Sequence, residues 1–310
     1  MNRLDIALQV FVVAAELRNF SRAAERLHMT QPAVSQHIRA LETALGARLL
    51  DRSSKSVSLT RAGEIVLGHA REIGMLYERM QEMVDELSGS VRGPLAIGAS
   101  YTFGEYVLPR ILGDLMRVYP DIKPSIAIAN TAEIAERLRR RELDVCVVEG
   151  EEIGPGLESR RIAGDEMVLV AGADHELAGR AAVEAGRLQE EVWLVRERGS
   201  GTRAATEQMF EAWGIRPPQM MELGSTQLVK EMAEAGLGVT LQSRWSLRKE
   251  LESGALKTIP APGLPFKRSF YVLLRKGEVR TRTLEAFLAQ LEETTRRLME
   301  RNGIDARDLG

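Results

Sequence analysis

Apolar positions recur at helical spacing along the first ninety residues. After that the pattern changes to short apolar runs alternating with amphipathic stretches. Leu4, Leu8, Phe11, Val12 and Ala15 share one face of a first helix. Asn19-Phe20 breaks it, and Ser21 is placed to cap a short helix over 22–27. Ala23, Ala24 and Leu27 give that helix a small, flat face, as two steeply crossing helices require. His28-Met29-Thr30 makes a turn, with Thr30 as the next cap and Pro32 tolerated in the following first turn. The helix over 31–45 buries Val34, Ile38, Leu41 and Leu45. Two short strands, 48–52 and 56–60, follow as a wing with Ser53-Ser54-Lys55 at its tip.

The opposite face of the 31–45 helix carries Gln31, Pro32, Ser35, Gln36 and Arg39. Amide side chains near a helix N-terminus can pair bidentately with adenine edges, while Ser and Arg serve phosphates or guanine. Seen alone, these residues read mostly as a solvated face. Inside a helix-turn-helix followed by a wing they read as a surface for double-stranded DNA. Arg52 and Lys55 project where a wing meets the neighbouring groove or backbone.

From Ala62 the stripe Ala62, Ile65, His69, Ile73, Leu76, Met80, Met83 and Leu87 advances by threes and fours, which is a coiled-coil seam. A helix over 60–87 is about 40 Å long and pairs with a second copy of itself. Ser88-Gly89-Ser90-Val91-Arg92-Gly93-Pro94 is a hinge by composition. Beyond it, strands are predicted at 95–99, 122–129, 144–148, 167–171, 193–195, 219–223, 239–241 and 270–274. Helices are predicted at 105–118, 131–141, 203–213, 226–234 and 282–299. This alternation implies parallel α/β sheets in two lobes joined by two crossovers. The resulting division is a head over 1–60, a linker over 61–90 and an α/β body over 91–302. Lobe I takes about 91–162 and 267–302, and lobe II about 163–266.

Ligands in open parallel sheets sit beyond the carboxyl ends of strands. Four such places are small and polar, supplied by Ser100 and Thr102, by Thr131, by Ser200, Gly201 and Thr202, and by Ser225. Hydroxyls and free N–H groups at helix N-termini favour an anion, although ordinary capping explains any one of them.

Charge adds a modest asymmetry. Residues 1–62 hold nine Lys/Arg against five Asp/Glu, while the whole chain of 310 residues is at −2. A basic head on an acidic body suits a nucleic-acid module fused to a sensor. Cys146 is the single cysteine, in an apolar run, so it forms no internal disulfide and belongs to no cysteine-rich metal site. No signal-peptide pattern or 18-residue apolar run is present, which points to the cytoplasm. Walker, GxSxG, HExxH and Rossmann patterns are missing, so neither catalysis nor a cofactor is expected. An α/β enzyme or a solute-binding protein acting on a small anion is the alternative; a solute-binding protein would have no use for the head.

Ala23-Ala24-x-x-Leu27, Thr30-Gln31-Pro32-Ala33-Val34-Ser35, Ile38-x-x-Leu41-Glu42, Leu45-Gly46 and Leu59-Thr60-x-Ala62-Gly63 together resemble the LysR-type transcriptional regulators of bacteria. The match is dense over 4–63; beyond residue 90 it rests on length and architecture. The resemblance implies a winged helix-turn-helix head and a two-lobed, periplasmic-binding-protein-like (type 2) effector domain. It also implies dimers pairing into tetramers, an inverted-repeat promoter site and RNA polymerase as a further partner. Ser200-Gly201-Thr202-Arg203, with Ser100-x-Thr102 after the first strand, resembles the subgroup that governs carbon fixation or sulfur assimilation. The effectors of that subgroup are small anions or phosphorylated metabolites. Arg198 departs from that subgroup, which often has proline there.

Overall fold

The small face at Ala23 and Ala24 is where three helices of the N-terminal unit (Met1–Ser88) close. The computed structural model describes residues 3–53, 56–85, 91–150 and 154–301. In it, α1 (Arg3–Leu17), α2 (Phe20–Arg26) and α3 (Gln31–Leu45) bury Val10, Phe11, Ala23, Val34, Ile38 and Leu41 together. The cap of α2 is Asn19 rather than Ser21. Asn19 Oδ1 accepts from the Ser21 and Arg22 N–H groups at 2.9 and 3.0 Å. Asn19 stands just ahead of the helix and reaches two orphan donors, whereas Ser21 already lies in the first turn. Thr30 caps α3 as expected, accepting from Ala33 N–H at 3.4 Å.

The wing consists of β1 (Leu50–Ser53) and β2 (Ser56–Leu59), antiparallel with Leu50 opposite Leu59. Glu42 ties it to α3, its Oε1 accepting from Leu49 and Leu50 N–H at 2.9 and 3.3 Å. Next comes α4 (Arg61–Asp85), whose Gly63 packs on the entry to the wing. A side-chain carbon at Gly63 would stand 2.0 Å from the Leu49 carbonyl oxygen, so only glycine fits. Ile65, Ile73, Leu76 and Met80 on α4 remain 47–54% exposed. Leu87 and the Ser88-Gly89-Ser90 part of the hinge lie outside the described residues.

In the C-terminal unit (Gly89–Gly310), β3 (Gly93–Ser100) runs parallel to β4 (Ile122–Ala129) and β5 (Val145–Glu149) on its two sides. The single helix expected over 105–118 is two, α5 (Tyr101–Tyr106) and α6 (Leu108–Val118). Pro109 explains the break, since it has no N–H and fits only a first turn. After β4 comes α7 (Thr131–Arg139). The rest of the unit runs β6 (Leu157–Gly172), α8 (Ala185–Leu188), β7 (Val192–Arg196), α9 (Gly201–Trp213), β8 (Gln219–Leu223), α10 (Thr226–Glu234), β9 (Thr240–Ser243), α11 (Arg248–Ser253), β10 (Leu256–Thr258), β11 (Phe266–Arg275) and α12 (Arg282–Arg301).

The sheets are not wholly parallel. One seven-stranded sheet has the order β10-β6-β11-β5-β3-β4, with β9 also on β6, while β7 and β8 form a separate parallel pair. β11 pairs antiparallel with both β5 and β6, and β9 and β10 pair antiparallel with β6. β5 and β6 are not neighbours although only 150–156 separates them in sequence: β11, arriving from late in the chain, lies between them and runs antiparallel to both. The lobe boundaries expected near 162 and 267 fall inside β6 and β11, so these two strands form a continuous ribbon through both lobes. The front of β6 escapes the apolar pattern because Glu158-Ser159-Arg160 faces outward there.

Lobe I packs Ile97, Phe103, Ile111, Phe270 and Phe287 on one face of the sheet and Ile134, Leu138 and Cys146 on the other. Lobe II centres on Trp193, which meets Phe210 edge-on at 4.6 Å and donates its indole N–H to Leu188 O at 2.9 Å. Cys146 is fully buried; burial pushes its thiol up to about 12.

Candidate functional site

Two sites are built on different principles. On α3, Val34, Ile38 and Leu41 face the core, which turns Gln31, Pro32, Gln36 and Arg39 to solvent. Gln31 Nε2 donates to Ser35 Oγ at 3.5 Å, a long bond between two exposed-face residues one turn apart. The predicted set Gln31, Pro32, Ser35, Gln36 and Arg39 is thus on one helix face. Arg52 lies on β1 opposite Val57; Lys55 falls outside the described residues.

The second site is buried. β5, β3 and β4 lie side by side, and Glu149, Ser100 and Asn130 stand at or just past their carboxyl ends. Arg268 reaches this edge from β11 with its side chain 7% exposed. Its Nη2 donates to Thr102 Oγ1 and its Nη1 to Thr202 Oγ1, each at 3.3 Å, so one guanidinium bridges the two lobes. Its Nε donates to Asp165 Oδ2 at 2.6 Å, and Nη2 lies 3.6 Å from Glu149 Oε1. Ser243 Oγ donates to the other Asp165 oxygen at 2.6 Å. Burial pushes the Asp165 carboxyl up, and the Arg268 charge counters only part of this. Thr131 Oγ1 donates to Glu149 Oε2 at 3.3 Å.

The predicted residues divide here. Thr102, Thr131 and Thr202 are gathered around Arg268 and Glu149. The side chains of Ser100 and Ser200 make no cap bond at their helices, and Ser100 Oγ is buried without a hydrogen-bond partner. Ser225 is an ordinary cap instead, accepting from Leu228 N–H at 3.1 Å, and Asn130 caps α7 the same way. Gly201 makes room for the chain itself, since a side-chain carbon there would stand 2.6 Å from Glu149 Cβ. Arg203, adjacent in sequence, is occupied by Glu207 and by the Arg196 carbonyl. Glu149, Asp165 and Arg268 were not foreseen. Their one signal is a charged residue ending or interrupting an apolar strand.

Further contacts join the lobes. Arg196 stacks its guanidinium 4.4 Å from the Tyr101 ring centroid and donates to Thr226 Oγ1 at 2.7 Å. Asn130 Nδ2 donates to Glu197 Oε1 at 3.4 Å, and Ala132 N–H to Gly199 O at 3.2 Å. No group of three or more metal-ligating side chains occurs among the described residues.

A helix-turn-helix head with an exposed polar α3, joined to a two-lobed domain with a polar interlobe cluster, defines a sensor that acts on DNA. Residues 6–64 match the bacterial regulatory helix-turn-helix protein, lysR family, and residues 88–296 match the LysR substrate binding domain. The chain belongs to the LysR family of bacterial transcriptional regulators. It is 35% identical to the HTH-type transcriptional regulator CysL of Bacillus subtilis, over 92% of this chain and 95% of that one. It is 33% identical to the RuBisCO operon transcriptional regulator of Allochromatium vinosum, over 87% and 89%. The Synechocystis PCC6803 CcmR regulatory domain in complex with 2-PG superposes with a TM-score of 0.62 at 28% identity. That match covers 66% of this chain and 98% of that one. These relatives regulate transcription, which sets aside the enzyme and solute-binding alternatives. No helix among the described residues is long and apolar enough to cross a membrane.

Proposed function

We propose that this regulator reads an inverted-repeat promoter site as a dimer paired through α4, and that a small anion between its lobes alters DNA bending and transcription. The observation that carries the effector half is Arg268, held between Thr102 and Thr202 beside the unpartnered Ser100 hydroxyl. Such a bridge gives an anion donors from both lobes, and thereby leverage over their relative position. The CcmR domain held with 2-PG (2-phosphoglycolate) supports an anion of this kind.

Ile65, Ile73, Leu76 and Met80 form an apolar stripe too large to leave in water, which supports pairing of α4 with a second copy. Two heads then present two α3 helices to two half-sites, in this family commonly a T and an A separated by eleven bases. Dimers pair further into tetramers through the lobes, and the DNA-bound assembly engages RNA polymerase. Its place of action is the cytoplasm, at the nucleoid.

Footprinting of the intergenic region beside the gene tests the DNA half. Protection lost on Gln31→Ala with Arg52→Ala is expected; an unchanged footprint contradicts the reading. Calorimetry with sulfate, sulfite, thiosulfate, 2-phosphoglycolate and sugar bisphosphates tests the effector half. Binding of an uncharged ligand in place of all of these overturns it.

A further inference from the structure

Glu149 complicates a simple anion site. Its side chain is 3% exposed and lies at the strand end where an effector would enter. Two neighbours that an oxyanion would use, Thr131 and Arg268, are already turned toward it. Thr131 donates to its Oε2, Arg268 Nη2 stands 3.6 Å from its Oε1, and the first turn of α9 closes on it at Gly201. The charged groups facing it are Arg268 on β11 and, past that, Asp165 on β6. Asp165 already engages Arg268 Nε and Ser243. The buried cluster therefore holds two carboxyl groups and one guanidinium before any ligand arrives.

A fully ionised oxyanion placed among Ser100, Thr102, Thr131 and Thr202 meets a carboxylate with no proton to share. Both partners lose hydration and repel. An oxyanion that keeps one proton turns the same carboxylate into an acceptor and gains a charge-assisted hydrogen bond. From this, and resting on the anion reading above, we infer that Glu149 is a specificity-determining residue that selects a protonatable phosphoryl group and rejects sulfate.

Phosphate monoesters have a second pKa of about 6, and a neighbouring carboxylate raises it further, so their binding takes up a proton. Sulfate has no such proton near neutrality. The site thus separates the two chemistries by proton inventory, although the two groups are nearly equal in size and shape.

The test is calorimetry on the full-length chain and on Glu149→Gln, with inorganic phosphate, 2-phosphoglycolate and sulfate as probes. Titrations run at about pH 6 and about pH 8, in two buffers of different ionisation heat. With the unaltered chain, the phosphoryl probes are expected to bind roughly tenfold or more tighter than sulfate. That is the size of one charged hydrogen bond gained against one repulsion avoided. Their binding should take up protons and weaken toward pH 8. With Glu149→Gln the preference should fall to within about threefold, sulfate should gain, and proton uptake should vanish. Sulfate binding the unaltered chain as tightly as the phosphoryl probes overturns the inference, with no variant needed. So does a preference or proton uptake that survives Glu149→Gln. No heat from any probe with either protein overturns the anion reading itself, and the inference with it.

Discussion

The face of α3 and the Arg268 cluster are both polar, yet they are assembled in opposite ways. The α3 face comes from residues within one helix, and its side chains meet water while their apolar neighbours hold the head together. The cleft cluster draws Thr102, Thr131, Glu149, Asp165, Thr202, Ser243 and Arg268 from seven strands and helices, nearly all of them buried. Water solvates each polar group of the first site separately, whereas the members of the second depend on one another. Deleting a member of the first should therefore change recognition alone; in the second it should change recognition and stability together.

The largest expected effect comes from Arg268→Ala. It leaves Asp165 and Glu149 buried without their cation, and a broken buried pair costs about 3–5 kcal/mol. Urea titration of the full-length chain should show this loss in the C-terminal unit. DNA protection by the head should persist without a response to anions. Equal stability of the variant would mean that the cluster is as separable as the α3 face.

Gln31→Ala should act the other way. A lost bidentate base contact is worth about 1–3 kcal/mol of discrimination, read as relaxed sequence preference in competition binding. Melting should be unchanged within about 0.5 kcal/mol, because the side chain is exposed. A comparable loss of stability would blur the contrast with the cleft.

Glu42→Ala tests whether the head holds any interdependent polar group of its own. Its carboxylate serves two wing N–H groups, so removal should cost about 1.5–3 kcal/mol and weaken binding uniformly across DNA sequences.

A pH effect sharpens the same point where lobe II meets lobe I. Burial alone would lower the Lys230 amine, but its hydrogen bonds to Glu250 and Tyr106 outweigh burial and hold it above 10.5. A folded value raised above the unfolded one means that its contribution is complete at neutral pH. That contribution drains as pH climbs from about 10.5 through the folded value. Lys230→Met should lose this alkaline limb of the stability curve, measured by melting between about pH 8 and pH 11.

The smallest effect is Ser100→Ala. Its hydroxyl has no partner to lose, so stability should move by less than about 0.5 kcal/mol while anion affinity falls. Unchanged affinity would remove Ser100 from the effector's surroundings.

The same division explains what could be read from the chain alone. Local determinants were legible: the turn before α3, the Thr30 cap, the α4 stripe and the hydroxyl-bearing strand ends all lie within a few residues of their partners. The α2 cap was misassigned by two residues because Asn and Ser both suit that role. The break at Pro109 was missed because apolar periodicity runs through it. The front of β6 was missed because solvent-facing Glu158 and Arg160 hide a strand paired along its length by β11. In the cleft, hydroxyls announced themselves through capping positions. Glu149, Asp165 and Arg268 did not, since their meeting depends on β11 inserting between β5 and β6, a pairing between residues over a hundred positions apart.

Cys146 carries a practical consequence. It is the one thiol in the chain, sealed in lobe I with its Sγ–H on the Ile134 carbonyl and almost never ionised at neutral pH. For a maleimide or a spin label the native protein is in effect blank, and Ellman's reagent should give no colour until denaturant is added. A cysteine introduced at exposed Glu105 on one lobe and another at exposed Gln227 on the other would be the only reactive pair. The distance between such reporters can be followed as anions are added, with the native thiol left in place.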